Sequence, residues 1–332
     1  MSSVTKIPIL TRDEAIARLQ DAVHAKAANF YAMYSSALGG IVTDPALMVL
    51  PLDDHMVHRG HSVFDTATLT GGMLYQLDPH LDRLLRSAEL ARVPLPFPRE
   101  ELRQIILDTA AASRQREGSV RYWLSAGPGG FGLGPAECVG SSFYVIVFNQ
   151  ELYPASYYTD GMKVITSNIP IKPPLFARIK STNYLPNVLV VLEAKDRSAD
   201  NGIFIDQRGM VAESSNMNVA FVTKDRVFRH PVFDAILSGI TIQRVLQFAE
   251  RLVQQGDLKE IRLADVSVSE GREAAEMMLI GSSIKIAPVV EWDGRPIGDG
   301  KPGPIAKMLL QLWEEDVRSA ADQLVRVPYP EL

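Results

Sequence analysis

Residues 180–187 read Lys-Ser-Thr-Asn-Tyr-Leu-Pro-Asn, and this stretch carries more information than any other in the chain. Its single lysine, Lys180, follows a β-like run and precedes an apolar segment with helical spacing. A lysine at such an edge can be desolvated and held as a free amine, which Schiff-base formation with an aldehyde requires. Most lysines are only solvated surface charges, so Lys180 must be weighed together with the segments at 80–84, 213–218 and 237–241.

The composition describes an ordinary globular chain. Its 332 residues, 46% hydrophobic and 22% charged, can bury a large core and favour two domains. The net charge of −5 argues against nucleic acid or an anionic membrane as a partner, because both attract basic surfaces. The single cysteine excludes disulfides within the chain and fits a reducing compartment. No apolar run approaches the ~20 residues that span a bilayer, so we expect an intracellular protein without a membrane partner.

Hydrophobic spacing and turn residues predict interleaved helices and strands without a regular βαβ rhythm. This order favours an α+β fold of two halves with mixed sheets over a Rossmann sheet or a (β/α)8 barrel. The predicted helices cover 11–36, 79–92, 98–115, about 185–197, 241–255 and 304–324. The predicted strands cover 47–52, 62–77 as a hairpin, 120–126, 142–148, 162–168, 202–206, 217–222, 277–281 and 287–292. We predict a smaller N-terminal domain at 1–152, a linker at 153–161 and a larger C-terminal domain at 162–332.

Residues 237–241, Leu-Ser-Gly-Ile-Thr, lead directly into a predicted amphipathic helix. The first N–H groups of a helix and its dipole form an anion site, and the Thr241 hydroxyl adds a donor. The alternative is that Ser238 or Thr241 only caps the helix.

Two charged residues adjoin apolar runs that would bury them. Arg83 borders the apolar face of the helix at 79–92, where a guanidinium needs a fixed anion; the alternative is an arginine that snorkels to the surface. Glu213 precedes the apolar strand at 217–222, where a carboxylate needs a cationic or N–H partner; the alternative is a turn glutamate in water.

Two further patterns do not carry function. The glycine-rich loop at 127–134 lacks the residues that complete a P-loop or a dinucleotide fingerprint. His55, His58 and His61 have no clustered cysteines or carboxylates nearby in sequence, so capping and packing explain them better than a metal, and we predict no metal site.

In order and spacing, the motifs resemble the class IV (fold-type IV) pyridoxal phosphate-dependent aminotransferases from about residue 40 to 325. The matching motifs are His80-x-x-Arg83-Leu84, Lys180-x-x-Asn183-Tyr184-Leu185-Pro186-Asn187, Glu213 with Asn218, Leu237-x-Gly239-Ile240-Thr241, and the run 278–283 before Pro288-Val289. The sequence around 55–65 and 121–127 is most similar to that of the plant and algal D-amino acid transaminase-like branch. We expect a cytoplasmic protein, or one of the plastid stroma if a transit peptide has been removed.

The resemblance implies a role for each matching residue. Lys180 would form the Schiff base with pyridoxal phosphate and then move a proton between the substrate carbon and the cofactor, while Glu213 would keep the pyridine nitrogen protonated. The other implied cofactor contacts are Tyr184 at the ring hydroxyl, Leu237 over one ring face, the motif residues Asn218 and Gly239, and Arg83, Ile240, Thr241 and Ser282 at the phosphate. The resemblance also implies a homodimer with the cofactor between the two domains.

The chain departs from the D-amino acid enzymes where they bind the substrate carboxylate. The tyrosine, arginine and histidine that they use fall on Phe64, Ala126 and Pro128 here, and none of these side chains binds a carboxylate. Arg121 aligns instead with an arginine that branched-chain enzymes use for the acidic amino donor, although it could equally brace the sheet.

The backbone amides of Ser282 and Ser283 are candidates for holding the substrate α-carboxylate, as in the branched-chain relatives. Arg59 and Arg178 are further candidates that the sequence does not rank.

We therefore predict a transaminase that moves an amino group between an amino acid of the D- or branched-chain type, or an (R)-amine, and a 2-oxo acid. Two alternatives stay open. One is a 4-amino-4-deoxychorismate lyase, which releases pyruvate, and the other is a non-catalytic protein that binds pyridoxal phosphate.

Overall fold

A computed structural model describes residues 7–23, 25–149 and 152–330. Its α-helices are α1 (Arg12–Asp21), α2 (His55–Arg59), α3 (Leu77–Leu90), α4 (Arg99–Ala112), α5 (Ser156–Thr159), α6 (Pro174–Ala177), α7 (Leu185–Asp196), α8 (Ile240–Gln255), α9 (Val268–Arg272) and α10 (Pro304–Ser319). Its strands are β1 (Phe30–Ser35), β2 (Gly40–Val42), β3 (Ser62–Thr70), β4 (Met73–Tyr75), β5 (Gly118–Ser125), β6 (Ser142–Phe148), β7 (Met162–Thr166), β8 (Asn201–Ile205), β9 (Val211–Ser214), β10 (Asn218–Val222), β11 (Val227–His230), β12 (Glu260–Leu263), β13 (Glu276–Gly281), β14 (Lys285–Trp292), β15 (Arg295–Pro296) and β16 (Leu324–Arg326). Within the described ranges, no helix has the length and apolarity needed to cross a membrane.

The first sheet has the order β16-β4-β3-β5-β6-β1-β2, and each of its described pairings is antiparallel. The predicted hairpin is confirmed: β3 and β4 join through Gly71 and Gly72, whose φ angles of 55° and 77° lie in the left-handed region that favours glycine. The strand β16, close to the end of the chain, returns to this sheet and pairs with β4.

The second sheet has the order β12-β11-β10-β13-β14-β7-β8-β9, with β15 paired to β14. It is mixed, as predicted, because β7 runs parallel to both β14 and β8, and β11 runs parallel to β12. The strand β9 also pairs with β10, where Glu213 lies opposite Asn218. This pairing joins the end strand β9 to the middle of the sheet and places a carboxylate beside the start of β10.

Each sheet is covered by helices that bury one apolar face. The helices α3 and α4 contribute Leu81 and Ile106 to the core of the first sheet, where both are fully buried. The helices α8 and α10 contribute Val245 and Leu309 to the core of the second. Each such buried side chain stabilises the fold by about 1.5–3 kcal/mol relative to exposure. The α+β architecture predicted from the sequence is confirmed.

Three predicted elements are wrong in part or in full. The helix predicted over 11–36 ends at Asp21, and residues 30–35 form β1 between β2 and β6. Residues 47–52 do not form the predicted strand. Pro45–Leu47 form a short 3₁₀ helix, and the residues that follow it up to 52 make no strand pairing. The last helix ends at Ser319, ahead of β16.

The first of these errors has a tertiary cause. Thr11 and Glu14 form the expected capping box, so the start of α1 is locally encoded. Residues 30–35 pair with residues of β6 that lie more than 100 positions later in the chain. This non-local pairing overrides the local helical spacing.

Candidate active site

One cavity of about 540 Å³ is lined by residues from both sheets. Its lining includes all the residues to which the resemblance gives a cofactor contact and three of the substrate candidates: Phe64, Arg83, Arg121, Lys180, Tyr184, Glu213, Asn218, Leu237, Gly239, Ile240, Thr241, Ser282 and Ser283. Residues more than 200 positions apart in the chain thus meet at one concave site, the usual form of a small-molecule pocket.

Backbone hydrogen bonds to β3 hold the segment around Lys180 against the first sheet. The Lys180 carbonyl accepts a hydrogen bond of 2.9 Å from the Phe64 amide, and the Thr182 amide donates to the Ser62 carbonyl at 3.1 Å. The Nζ atom of Lys180 donates to the Tyr184 hydroxyl at 3.3 Å. Burial, together with the charge of Arg83, lowers the pKa of Lys180 to about 8. About a tenth of this amine is therefore an uncharged nucleophile at pH 7, far more than for an ordinary lysine.

Glu213 is a buried carboxylate that has no cationic partner among the described residues. It lies on β9, and its Oε2 atom accepts a hydrogen bond of 3.2 Å from the Leu237 amide. Burial raises the pKa of Glu213 to about 7, although the Leu237 amide and the charges of Lys172 and Lys180 oppose this shift. Such a group is suited to receive a cationic N–H group from a bound molecule.

The start of α8 forms a cradle of donors at the wall of the cavity. The Thr241 hydroxyl lies 3.1 Å from the Ser282 hydroxyl, and the Asn218 amide group donates to the Leu237 carbonyl at 3.0 Å. A Cβ atom at Gly239 would lie 2.1 Å from the Asn218 side-chain oxygen, so any larger residue there would have to displace Asn218. Because the first amides of α8 have no partner within the helix, this cradle is suited to an anion such as a phosphate.

Arg83 does not snorkel to the surface; it is 7% exposed and has a fixed anionic partner. Its Nε and Nη2 atoms each donate to Asp65 at 2.8 Å, and His80 Nδ1 lies 2.8 Å from the same carboxylate. Its Nη1 atom reaches the Ser238 carbonyl at 3.4 Å. The pair thus holds the guanidinium against the loop that begins α8.

Asp65 is a residue that the sequence reasoning missed. It alternates with Val63, Ala67 and Leu69 on the buried face of β3. A carboxylate in a series of apolar residues at every second position lies on the buried face of the strand and needs a buried cationic partner. This spacing was the sequence pattern that could have identified Asp65.

Arg121 is a cation of the cavity wall without a carboxylate partner among the described residues. Its Nε atom donates to the Thr66 hydroxyl at 3.0 Å. Its guanidinium carbon lies 5.5 Å from the ring centre of Phe64 and 5.3 Å from that of Phe148. Burial lowers the pKa of Arg121. The residue braces β3 against β5 and still faces the cavity.

The remaining sequence candidates lie outside this cavity. Ala126, Pro128 and Arg178 are absent from its lining, and the Arg59 guanidinium instead donates to the carbonyls of residues 131 and 132 in the glycine-rich loop. The described part of the chain shows no cluster of three histidine, cysteine or acidic side chains placed to hold a metal. A second lysine of the lining, Lys172, was not singled out by any motif.

Residues 62–292 match the family model of the amino-transferases of class IV, and the chain belongs to this family. It is therefore an aminotransferase of the fold-type IV group, which confirms the resemblance read from the motifs.

Similar proteins support the assignment along most of the chain. Over 327 residues it is 53% identical to the "D-amino-acid transaminase, chloroplastic" of Arabidopsis thaliana, covering 97% of this chain and 86% of that protein. It is 28% identical over 280 residues to the D-alanine aminotransferase of Bacillus licheniformis, covering 82% and 94%. The solved T.th. branched-chain amino acid aminotransferase with pyridoxamine 5′-phosphate superposes with a TM-score of 0.81 at 25% identity, over 90% of this chain and 99% of that one. The Escherichia coli enzyme of the same name gives 0.81 at 23%, with the same two shares, which shows the fold.

Proposed function

We propose that this aminotransferase uses pyridoxal phosphate to exchange an amino group between an amino acid and a 2-oxo acid. One observation carries the proposal: a lysine with a lowered pKa, a buried acid with a raised pKa and the start of a helix line the same cavity. A cofactor that carries an aldehyde, a ring nitrogen and a phosphate needs these three groups in its binding site.

The chemistry of the lining fits this cofactor at each of its polar groups. The amides of Ile240 and Thr241, the hydroxyls of Thr241 and Ser282, and Arg83 would hold the phosphate. Glu213 would hold the protonated ring nitrogen, and Tyr184 would hold the ring hydroxyl. Leu237 would cover one face of the ring, while Asn218 and Gly239 shape the loop that presents it. When bound, pyridoxal phosphate supplies an aldehyde and an electron-withdrawing ring that stabilises negative charge on the substrate carbon.

The side chains of this chain supply the proton movements. Lys180 acts as a nucleophile through its neutral amine and as a base or acid at Nζ, which its pKa of about 8 permits in both directions near neutral pH. The hydrogen bond from Nζ to the Tyr184 hydroxyl restrains the amine inside the cavity. Glu213 requires a positive N–H partner to remain ionised, so it favours the protonated form of whatever nitrogen it meets.

For the substrate, we propose D-amino acids as the main amino donors, in accord with the name of the Arabidopsis relative. Arg121 replaces the missing carboxylate-binding side chains on the wall next to Phe64 and binds an acidic group of the substrate. The amides of Ser282 and Ser283 line the same cavity and would hold the α-carboxylate. Branched-chain amino acids and (R)-amines are the other donors to be tested.

We also propose a homodimer. The helix α7 exposes an apolar face, with Leu185 68% and Val188 50% exposed, and Val188 and Val191 of this face also line the cavity. A second copy that covers the face would bury this surface and enclose the cavity mouth. Light scattering of the purified protein should give twice 36.6 kDa; a single chain mass would contradict the proposal.

The domain division at 153–161 and the location in the cytoplasm or the plastid stroma remain proposals. The first is tested by limited proteolysis between the two halves. The second is tested by imaging a fluorescent fusion of the full-length gene product, and a fusion confined to any other compartment would contradict it.

A substrate screen tests the proposed function. The holoenzyme is mixed with D- and L-amino acids and (R)-1-phenylethylamine, each with pyruvate or 2-oxoglutarate, and both products are measured. We expect a new amino acid to form from the added oxo acid at the rate at which the donor is consumed. Pyruvate release from aminodeoxychorismate without a second oxo acid would identify the lyase alternative instead.

A further inference from the structure

We infer that Lys172 binds a carboxylate of the substrate and is a specificity-determining residue of this site. The inference rests on the proposed function, since it concerns the acid that enters the same cavity. It starts from the observation that the cavity lining holds two lysines, of which only Lys180 has a role in the proposed chemistry.

Two aromatic rings arrange the cations of this wall. The rings of Phe64 and Tyr184 pack edge to face, with centres 5.2 Å apart and planes at 64°. Lys180 Nζ lies 4.9 Å from the Phe64 ring centre and 5.9 Å from that of Tyr184. The nucleophile is therefore within reach of both rings.

Each ring also carries a second cation. Arg121 lies over Phe64 at 5.5 Å, and the Nζ atom of Lys172 lies over Tyr184 at 5.0 Å. Cation–π contact of this kind is worth about 0.5–2 kcal/mol, so it positions a cation without neutralising it. The site thus holds two positioned positive charges that flank the reactive amine.

The acids of the lining form no ion pair with Lys172, although its charge and that of Glu213 attract each other at longer range. Three described carboxylates line the cavity, and each has its own donors: Asp65 has Arg83 and His80, Glu213 has the Leu237 amide, and Asp200 has the Lys163 amide at 2.7 Å. Among the residues that the structure describes, none forms an ion pair with Lys172 within 4.0 Å. A half-buried ammonium group at the wall of a cavity favours an anionic ligand.

The sequence holds the backbone of Lys172 in place. It is preceded by Pro170 and followed by Pro173 and Pro174, where the helix α6 begins. Proline fixes its own φ and confines the residue before it to extended conformations. Because this backbone is already restricted, it loses little further entropy when the lysine binds a ligand.

The chemistry that Lys172 recognises is a carboxylate, which could be the α-carboxylate of any substrate or the distal carboxylate of an acidic one. The two sources are separated with propionate, which has one carboxylate, and glutarate, which has two. Their binding to the holoenzyme is measured by titration calorimetry, which needs no turnover. The outcome is therefore independent of whether the protein transaminates.

Lys172→Met should weaken glutarate binding at least tenfold, which is the smaller end of what one charge-assisted hydrogen bond supplies, about 1.5–3 kcal/mol. Lys172→Arg keeps the charge and should stay within about threefold of the wild type. Lys301→Met removes an exposed lysine outside the lining and serves as the matched control for net charge. If propionate is weakened equally, Lys172 binds the α-carboxylate; if only glutarate is weakened, it binds the distal one.

A purely structural or electrostatic role would give a different result. In that case Lys172→Met and Lys172→Arg would alter the cofactor spectrum while both acids bound as before. Equal binding of both acids by wild type and Lys172→Met overturns the inference, and so does a Lys172→Arg variant as weak as Lys172→Met. In kinetics, the KM for 2-oxoglutarate should rise with little change in kcat, and the KM for pyruvate should rise with it only where Lys172 binds the α-carboxylate; the reaction of an amine without a carboxylate should be unaffected.

Discussion

Asp65 accepts two hydrogen bonds of 2.8 Å from Arg83, one from Nε and one from Nη2, in a buried pair that connects β3 to α3. Burial alone would raise the pKa of Asp65, but the charge of Arg83 and the contacts with His80 outweigh it and hold this pKa far below its usual range. The pair fixes the arginine whose remaining nitrogen reaches the loop before α8. Stability and the proposed phosphate site are therefore coupled at this one carboxylate.

Asp65→Asn should destabilise the protein by about 3–5 kcal/mol at pH 7, because it leaves the Arg83 charge buried without a counter-ion. A carboxylate with a lowered pKa contributes its stability above the unfolded-state value of ~3.9, and this contribution is lost as the pH falls through the lower folded-state value. The difference between variant and wild type, measured by urea unfolding, should be constant from about pH 7 to 5 and shrink below about pH 4. Asp225→Asn is the matched control, because its pair with Lys259 is 3.6 Å long and largely exposed. An equal shift of both urea midpoints would contradict the argument.

Lys180→Ala should remove the Schiff-base absorption band of the protein reconstituted with pyridoxal phosphate and leave less than about 1% of the turnover, since covalent catalysis is worth orders of magnitude. The fold should persist, because the contacts that fasten this segment to β3 are made by backbone atoms. Circular dichroism checks the fold, and Lys195→Ala, an exposed lysine of α7, is the control. Turnover well above 1% in a folded Lys180→Ala protein would refute the role of the lysine.

The amine of Lys180 should titrate near pH 8 in the cofactor-free protein, since burial and the charge of Arg83 both disfavour its protonated form. Trace acetylation followed by peptide mass spectrometry measures this directly. Labelling of Lys180 should rise with pH up to about pH 8 and level off above pH 9. In the same chain unfolded in urea, labelling of this lysine should keep rising toward its ordinary pKa of ~10.4. Identical profiles in the two states would show that the cavity does not perturb the amine.

The motifs single out residues that the fold brings to one cavity, but they miss the residues that support them. Lys180, Glu213 and Thr241 belong to local motifs whose order is readable without a fold, and they line one cavity. Asp65 and Lys172 belong to no motif, because their meaning depends on what the fold brings next to them. For Asp65 this is an arginine 18 positions later, and for Lys172 it is the ring of Tyr184.

The same limit applies to the fold. The helix α8 was predicted almost to the residue, because its apolar period and Gly256, which ends it at a φ of 84°, are both local signals. The strand β16 was missed because its three residues gain their stability only by pairing with β4, over 240 positions earlier. Short strands at the ends of sheets leave almost no pattern of their own.

Arg121→Ala should raise the KM for glutamate or 2-oxoglutarate by about tenfold or more, and clearly more than the KM for monocarboxylic substrates, because it removes an unpaired cation from the cavity wall. Initial rates measured over a range of substrate concentrations give the KM for the dicarboxylic substrates and the KM for the monocarboxylic ones. Arg251→Ala removes an exposed arginine of α8 that does not line the cavity, and should change neither constant. An equal effect of Arg121→Ala on both substrate types would make Arg121 a residue that only braces β3 against β5.

Gly239→Ala should weaken the binding of pyridoxal phosphate by about tenfold or more, because the added methyl group would overlap the Asn218 oxygen and displace the loop that presents the first amides of α8. The Asn218 side chain cannot simply turn away, since its amide group donates to the Leu237 carbonyl in the same loop. Gly134→Ala is the matched control: it also precedes a helical turn in an extended conformation, and a methyl group there meets no atom within 4 Å. Dissociation constants come from titrating the cofactor-free proteins with pyridoxal phosphate and following their absorbance. If Gly239→Ala binds the cofactor as tightly as Gly134→Ala does, the loop before α8 is not the phosphate site.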